Sequence, residues 1–315
     1  MRKTFSALLV AALALGIAGT PAVAFNQPPL NLGLTDILDG GPPGPGTYFT
    51  EYIQAYGSNH FKDSNGNNIP GSPEVANVLS MNQVVQVYKH KVLGGHLGAT
   101  VLLPLVAISG SGTVGSPGPP VSTNPGAWGD LIVGPFLQWF DTKLLGRPFI
   151  HRLELDVVMP TGQYDSQYLI NPGSNIWTFE PYYAFTWFLT DKLSTSWRLM
   201  YDFNTKNDDP FDGFKALGVS DITPGQVFHF NYSLEYQFLK NFWGSAAGYY
   251  LVQTTDDKFN GQTVNDSKEQ VFAIGPAVFW AVSPNFSMGL KTAWETAVEN
   301  RPEGNRTTFR LTYKF

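Results

Sequence analysis

Among the residues of this sequence, the histidines and serines are the best suited to catalysis. A serine hydrolase requires a serine and a histidine within hydrogen-bond reach. His229 and Ser233 share one face of an alternating segment, but four residues of extended chain separate them by roughly 13 Å. No Gly-x-Ser-x-Gly motif is present. A serine and a histidine meeting across strands stays open, but the sequence favours a protein that is not an enzyme.

Acidic residues and cysteines give no stronger indication of a reactive site. The paired carboxylates Asp208-Asp209 and Asp256-Asp257 are predicted to be solvated residues of turns. Residues 63–67 resemble part of a calcium-binding loop but lack the closing glutamate, so an Asx-rich turn is predicted. The histidines do not have metal-ligand spacing, and the chain contains no cysteine. The sequence therefore predicts neither a metal site nor a cofactor.

The composition of the 315 residues excludes several classes of protein. Charged residues make up only 14% of the chain, below the roughly 25% of soluble proteins, and aromatic residues also make up 14%. The 32 glycines and 23 prolines exclude a coiled coil, and the aromatic content argues against disorder. Apolar runs of about 20 residues, which helical membrane proteins need, are missing beyond the amino terminus. A net charge of −5 without a basic cluster gives no support to nucleic-acid binding. With coiled-coil, disordered and helical membrane proteins excluded, the composition predicts an all-β chain.

Strict alternation of apolar and polar residues identifies the strands. In residues 227–238 the even positions are apolar or aromatic, and nearly all odd positions are polar. Successive side chains of a strand point to opposite faces, so this segment has one apolar face and one polar face. Twelve segments follow the pattern: 47–57, 78–89, 95–107, 128–140, 149–160, 175–189, 192–204, 226–239, 242–254, 269–282, 285–297 and 306–315.

The connections between these segments alternate strictly between long and short. Barrels of the outer-membrane type have an even number of strands, short periplasmic turns and longer outer loops. A regular alternation of long and short loops is not expected of a soluble β-sandwich. The sequence therefore predicts that residues 47–315 form a transmembrane antiparallel β-barrel of about 12 strands, with apolar faces toward lipid and polar faces inward.

Both ends of the chain carry signals of export and assembly. Arg2 and Lys3 precede an apolar stretch that ends in Ala22-Val23-Ala24, so residues 1–24 are predicted to be a signal peptide cleaved after Ala24. The chain ends in the alternating aromatic pattern of Tyr313 and Phe315, typical of proteins recognised by the outer-membrane assembly machinery. We therefore expect a location in the outer membrane of a Gram-negative bacterium, in contact with lipid and lipopolysaccharide.

The inward polar rows supply the candidate functional residues of the barrel. They line a permeation path that selects by charge, or they form a salt-bridged network that only stabilises a narrow barrel. The sequence leaves both interpretations open. The candidate lining residues are Arg152, Glu154, Asp156, Glu180, Arg198, Asp202, His229, Asn231, Glu235, Lys291, Glu295 and Arg310.

Residues 25–46, here called the N-terminal segment, are rich in proline and glycine and are not predicted to form a strand. Apolar residues such as Leu30 and Leu32 would be costly to leave in water. We expect the segment to fold into the barrel as a small plug, with one helical turn that Thr35 caps and Gly40 ends. A disordered periplasmic tail is the alternative. The residues expected to form the plug are Leu34, Thr35, Asp36, Ile37 and Asp39.

Several short segments rich in glycine and proline match a known family in their order along the chain. They are Gly33-Leu34-Thr35-Asp36, Asp39-Gly40-Gly41, Pro45-Gly46-Thr47-Tyr48, Gly129-Asp130-Leu131-Ile132-Val133-Gly134-Pro135, Pro160-Thr161-Gly162-Gln163-Tyr164-Asp165, Asn171-Pro172-Gly173-Ser174-Asn175 and Trp177-Thr178-Phe179-Glu180-Pro181. In these segments the chain resembles outer-membrane transporters of the MetA-pathway phenol-degradation family. The resemblance implies passage of aromatic or other apolar compounds into the cell, and it supplies no catalytic motif.

From the predicted barrel and this resemblance we expect a channel or transporter for passive uptake of small aromatic or hydrophobic solutes. Two alternatives stay open. One is a structural or adhesive barrel with a closed lumen, whose outer loops bind a partner. The other is an outer-membrane hydrolase.

Overall fold

Twelve antiparallel strands form one closed barrel within the part of the chain that the structure describes, Gln27, Pro28 and residues 31–315 of a computed structural model. The barrel strands are β1 (Gly46–Phe61), β2 (Glu74–Val92), β3 (Gly95–Ser111), β4 (Leu131–Leu144), β5 (Arg147–Met159), β6 (Thr178–Phe188), β7 (Leu193–Asn204), β9 (Val227–Leu239), β10 (Phe242–Gln253), β13 (Gln270–Ser283), β14 (Phe286–Glu299) and β15 (Pro302–Lys314). The predicted signal peptide and Leu30 lie outside the described residues.

Each predicted segment corresponds to one barrel strand, so the predicted fold is confirmed. Consecutive barrel strands pair with each other, and β15 pairs with β1 to close the sheet. Closure gives every strand two neighbours. No strand edge is then left with backbone N–H and C=O groups that lack a hydrogen-bond partner in lipid. Several strands exceed their predicted length because pairing continues past the alternating part: Phe61 at the end of β1 still pairs with Pro302.

The two faces of each strand differ in burial. In β9, Val227, His229 and Asn231 are buried, whereas Leu234 and Tyr236 on the other face are exposed. In a membrane, lipid would cover the exposed apolar face and remove it from water. The polar members of the alternation therefore lie inside the barrel.

The short connections are tight turns. Leu93-Gly94 joins β2 to β3, and Leu145-Gly146 joins β4 to β5. Both residues of each turn have positive φ, 52° and 77° in the first turn and 51° and 78° in the second. Two successive positive φ angles are typical of type I′ turns, whose twist matches that of the flanking strands.

The long loops at the opposite end of the barrel contain structure of their own. They include β8 (Ile222–Thr223), β11 (Lys258–Phe259) and β12 (Gln262–Thr263), which form a small sheet, and a single helical turn, α1 (Asp212–Lys215). In the loop after β1, Asp63 accepts the backbone N–H groups of Asn65 and Asn67, as expected of an Asx-rich turn. No helix within the described residues is both long and apolar enough to cross a membrane.

The predicted helical turn in the N-terminal segment is wrong. Residues 37–40 form an isolated turn, and Leu38 has a φ of 58°. That angle lies in the left-handed region and cannot continue a right-handed helix. The side chain that accepts a backbone N–H at the start of this turn is that of Asp36 rather than Thr35: Oδ1 of Asp36 accepts the N–H of Ile37 at 2.7 Å.

Candidate functional site

The described part of the N-terminal segment lies inside the barrel and forms hydrogen bonds with several strands. The backbone N–H of Gly33 donates to the side-chain oxygen of Asn231 on β9 at 2.9 Å. At Gly40 the N–H donates to Thr186 Oγ1 on β6 at 2.8 Å, and the carbonyl accepts from Gln138 Nε2 on β4 at 2.8 Å. The segment therefore satisfies its backbone with inward side chains, because it has no strand partner of its own.

Apolar side chains of the N-terminal segment pack on the wall around it. Leu32, Leu34 and Ile37 each join a different cluster of buried wall residues, and Ile37 has no exposed surface. Gly40 approaches the wall closely: an added Cβ would lie 2.4 Å from both the carbonyl oxygen of Ile150 and the backbone nitrogen of Thr186. The segment fits the wall at this point only because Gly40 has no side chain.

Two aspartates of the N-terminal segment face basic residues of the wall. Asp39 accepts two hydrogen bonds from Arg198, at 3.0 Å from Nε and 2.7 Å from Nη2. Asp36 lies between two cations, 3.8 Å from Lys291 Nζ and 3.6 Å from Arg310 Nη1. The charges of the segment are thus complementary to those of the wall.

A second network joins β4, β5 and β6 next to the segment. Arg152 pairs with Glu154 at 3.0 Å and donates to Gln138 Oε1 at 2.8 Å. Tyr182 donates its hydroxyl hydrogen to Glu154. Gln138 also holds Gly40, as described above, so the network connects the wall to the N-terminal segment.

A third group lies near the outer ends of β6, β7 and β9. The Nε2 atom of His229 is 3.0 Å from Asp202 Oδ2 and 3.3 Å from Glu180 Oε2. Asp202 and His229 have no exposed surface. Metal-ligand spacing is not visible here in the sequence, because the three residues come from different strands and only cross-strand register brings them together.

Glu295 on β14 is the centre of a fourth group. Its carboxylate accepts hydrogen bonds from Tyr249 at 2.7 Å and from Tyr56 at 3.0 Å, and it lies 3.5 Å from Arg306 Nε. The guanidinium of Arg306 is 4.1 Å from the centre of the Tyr56 ring, which is a cation–π geometry.

A cavity of about 280 Å³ lies between the outer loops and the N-terminal segment. Most of its lining residues are apolar or aromatic, and polar and charged residues make up the rest. The apolar and aromatic lining includes Leu32, Tyr56, Leu79, Val106, Ile108, Tyr164, Leu169, Phe211 and Phe214, and the polar lining includes Gln54, Glu269, Arg301 and Arg306. Such a mixture is typical of sites that bind small apolar molecules in a fixed orientation.

In the buried pair of Glu269 and Arg301, which lines the cavity, the pKa of the glutamate is unusual. Glu269 accepts a hydrogen bond from Arg301 Nη1 at 3.1 Å, and both side chains are buried. Burial raises the pKa of Glu269 to about 8, and the attraction of Arg301 offsets only part of that effect. The charge of this part of the cavity lining therefore changes near pH 8.

All twelve candidate lining residues lie on the inward face of their strands. Eleven are buried, and Arg310 is half-buried. The structure brings Arg152 and Glu154 together, and likewise Glu180, Asp202 and His229. The others mostly contact the N-terminal segment or neighbouring side chains, as Glu235 does with Ser194 at 2.6 Å. Their role as the lining of a permeation path stays a prediction.

One expectation about the loop acids needs correction. Asp257 is not a solvated turn residue: it is 4% exposed, and its Oδ1 accepts the N–H of Gly225 at 2.7 Å. A carboxylate is well suited to bind the free N–H groups of a buried loop, which explains its position. Asp208 and Asp209 are exposed, as expected.

The comparisons with known proteins agree with the predicted fold and family. The chain matches the family described as "Putative MetA-pathway of phenol degradation" over residues 58–311. The chain belongs to this family. The resemblance seen in the sequence is thereby confirmed.

Among solved structures, an outer membrane channel from Pseudomonas putida F1 has a similar fold. The TM-score is 0.75 at 17% sequence identity, and the match covers 91% of this chain and 100% of that chain. The transport unit of the autotransporter AIDA-I from Escherichia coli gives a TM-score of 0.48 at 11% identity, over 96% of each chain. No curated protein sequence matches the chain.

In this member of the family, the sequence prediction missed several interior residues. Arg306 has the same parity as Thr308 and Arg310 on β15, so the alternation contains the signal that would have found it. Tyr56 and Tyr249 were missed because an aromatic side chain suits either face of a membrane strand. Gln54 also faces inward, and its Nε2 binds the carbonyl of Leu32 at 3.2 Å.

Proposed function

We propose that this member of the family is a passive outer-membrane channel for small aromatic or other apolar solutes. The cavity between the outer loops and the N-terminal segment is the observation that supports this most strongly. Its volume of about 280 Å³ exceeds the ~150 Å³ of a cavity that holds benzene, so it suits one substituted ring. Arg306 and Gln54 supply polar groups for a hydroxyl or carboxylate substituent.

The family and the fold support the same class of function. The family description refers to phenol degradation, and the structure with the similar fold from Pseudomonas putida F1 is an outer membrane channel. A closed barrel has no free strand edges, so solute passes along its interior rather than between strands. The lining residues of that interior select among solutes by charge and shape.

The N-terminal segment acts as a plug in this proposal. Its two aspartates are paired with Arg198, Lys291 and Arg310, and its leucines cover apolar parts of the wall. The segment therefore forms the floor of the cavity and narrows the path toward the periplasm. Passage requires it to shift within the lumen or to leave a narrow gap at its side.

Export and location complete the proposal. The chain reaches the outer membrane after cleavage behind Ala24, so the N-terminal segment begins at Phe25. Phe315 is 75% exposed at the end of the last strand, where the assembly machinery can recognise it. Catalysis has no part in the proposal.

Proteoliposome swelling tests the function directly. Benzoate at pH 8 is ionised and crosses lipid slowly, so we expect swelling in benzoate to exceed swelling in a pentose of similar size. Phe214→Ser removes an aromatic ring from the cavity lining and should reduce benzoate flux. Leu217→Ser is the matched control, because Leu217 is 61% exposed on the same loop and does not line the cavity.

The alternative functions give different results in the same assay. A structural or adhesive barrel with a closed lumen gives no flux of either solute. Equal flux of benzoate and pentose indicates a general pore and contradicts aromatic selectivity. Equal loss of flux in Phe214→Ser and Leu217→Ser indicates that the cavity is not the solute site.

A further inference from the structure

Glu180, Asp202 and His229 form a compact group of ligand-type atoms on the inner wall. One carboxylate oxygen from each acid and one ring nitrogen of the histidine all lie within 4.8 Å of one another. The contacts to Nε2 measure 3.0 Å from Asp202 and 3.3 Å from Glu180. These separations are those of atoms that share one metal ion at about 2.0–2.2 Å from each ligand.

The group lacks the hydrogen bonds that a purely structural cluster would need. Within the described residues, neither oxygen of Asp202 and neither ring nitrogen of His229 has a hydrogen-bond partner. Nε2 lies at ion-pair distance from both acids, whereas Nδ1 of His229 and Oδ1 of Asp202 have no hydrogen-bond partner within the described residues. Both side chains have no exposed surface, so bulk solvent does not contact them directly. Buried polar groups left in this state are costly and require an explanation.

The nearby cation Arg198 makes its hydrogen bonds to another acid. Arg198 lies on the same strand as Asp202, but its guanidinium donates to both carboxylate oxygens of Asp39. Asn231, on the same strand as His229, is bound to the N-terminal segment through Gly33 and Thr35. Two carboxylates therefore face one imidazole, and a dication would balance their charge.

We propose that Glu180, Asp202 and His229 bind a divalent transition-metal ion on the inner wall of the barrel. One imidazole and two carboxylates are a donor set that suits Zn²⁺, with a further position left for water. Mg²⁺ and Ca²⁺ prefer six or more oxygen ligands and fit three mixed ligands poorly. The side chain of Glu180 is 9% exposed, so an ion from the lumen can reach the site at this residue.

The bound ion would fasten three strands together at their outer ends. β7 and β9 are joined by a long loop, residues 205–226, so the pairing of Met200 with His229 is a contact between parts distant in the chain. An ion that binds only the folded barrel stabilises it by mass action. The site is separate from the cavity, none of whose lining residues belongs to it.

Zinc titration of the mature chain, refolded in detergent and stripped with EDTA, tests the proposal. Calorimetry should show one Zn²⁺ per chain, and X-ray absorption should show nitrogen and oxygen ligands with a single imidazole. His229→Gln and Asp202→Asn should each weaken binding by at least about tenfold. His151→Gln is the matched control: His151 stacks on Trp139 on the outer face of β5, so its loss should leave binding unchanged.

Several outcomes would overturn the proposal. Among them are no stoichiometric Zn²⁺ binding by the natural sequence, equal binding by all variants, and a spectrum with two or more imidazoles. Such a spectrum would indicate the exposed His60 and His90 or the half-buried His96. The heat-dependent shift in gel mobility shows whether each variant has formed its barrel. If both site variants fail to fold, the stoichiometry and the single-imidazole spectrum of the natural sequence decide the matter.

Discussion

Arg198 on the barrel wall forms an ion pair with Asp39 of the N-terminal segment. Its guanidinium binds both oxygens of Asp39 and lies 4.4 Å from the centre of the Tyr182 ring. A buried ion pair adds little net stability compared with apolar packing, but removal of one partner leaves an unpaired charge that costs about 3–5 kcal/mol. The contact is therefore one of those that keep the segment docked, beside the pairs of Asp36 with Lys291 and Arg310.

Replacing Arg198 by glutamine should loosen the N-terminal segment. The chain has no cysteine, so Ile37→Cys introduces a single reactive probe at a position with no exposed surface. We expect maleimide to label that cysteine at least about tenfold faster when Arg198→Gln is also present, because local opening exposes it. Adding Asp39→Asn should restore part of the protection, since neither charge is then left unpaired. Equal labelling rates in all three proteins would contradict a role for the ion pair in docking.

Glu269 should make the stability of the barrel depend on pH. Its pKa is about 8 in the folded protein against an ordinary value of 4.5, so the folded state binds more protons between these values. The contribution of Glu269 to stability is present in full below pH 4.5 and is lost as the pH rises to about 8. Glu269→Gln should flatten this part of the curve of heat-modification midpoint against pH. Glu303→Gln, in a half-exposed pair with Lys62, should leave its shape unchanged, and a matching change in both variants would rule out Glu269 as the cause.

At the scale of the strand, the outer face of β9 decides whether the element can enter a membrane. Leu234 is 52% exposed there. We expect Leu234→Arg to impair assembly, because arginine on the lipid face costs about 2–4 kcal/mol near the midplane. Leu217→Arg places the same residue in an outer loop and should assemble normally. Protease resistance and gel mobility of outer-membrane fractions measure assembly, and normal assembly of Leu234→Arg would mean that this face does not meet lipid.

The strands could be predicted from the sequence because their signal is local. Alternation with a period of two residues is visible within each segment, and the parity of loop lengths then indicates the barrel. Register between distant strands is not local, so the group of Glu180, Asp202 and His229 could not be found. The burial of Asp257 was missed for the same reason, since its partner Gly225 belongs to another loop.

At the scale of the whole molecule, the barrel wall and the N-terminal segment complete each other. The wall carries inward cations at Arg198, Lys291 and Arg310 that have few partners without the segment's aspartates. The segment in turn has apolar side chains and backbone N–H groups that only the wall satisfies within the described residues. The expected plug followed from the apolar residues alone. Its ion pairs required the three-dimensional structure.

Deleting residues 25–44 behind the signal peptide should open the barrel without preventing its assembly. The strands begin at Gly46, and closure depends on the pairing of β1 with β15, neither of which the deletion removes. We expect planar-bilayer conductance and the uptake of bulky antibiotics to rise, because the lumen loses the residues that fill it. A control variant that replaces residues 63–67 of an outer loop by a Gly/Ser linker of equal length should leave conductance unchanged. If the deleted protein assembles and its permeability equals that of the intact protein, the N-terminal segment does not act as a plug.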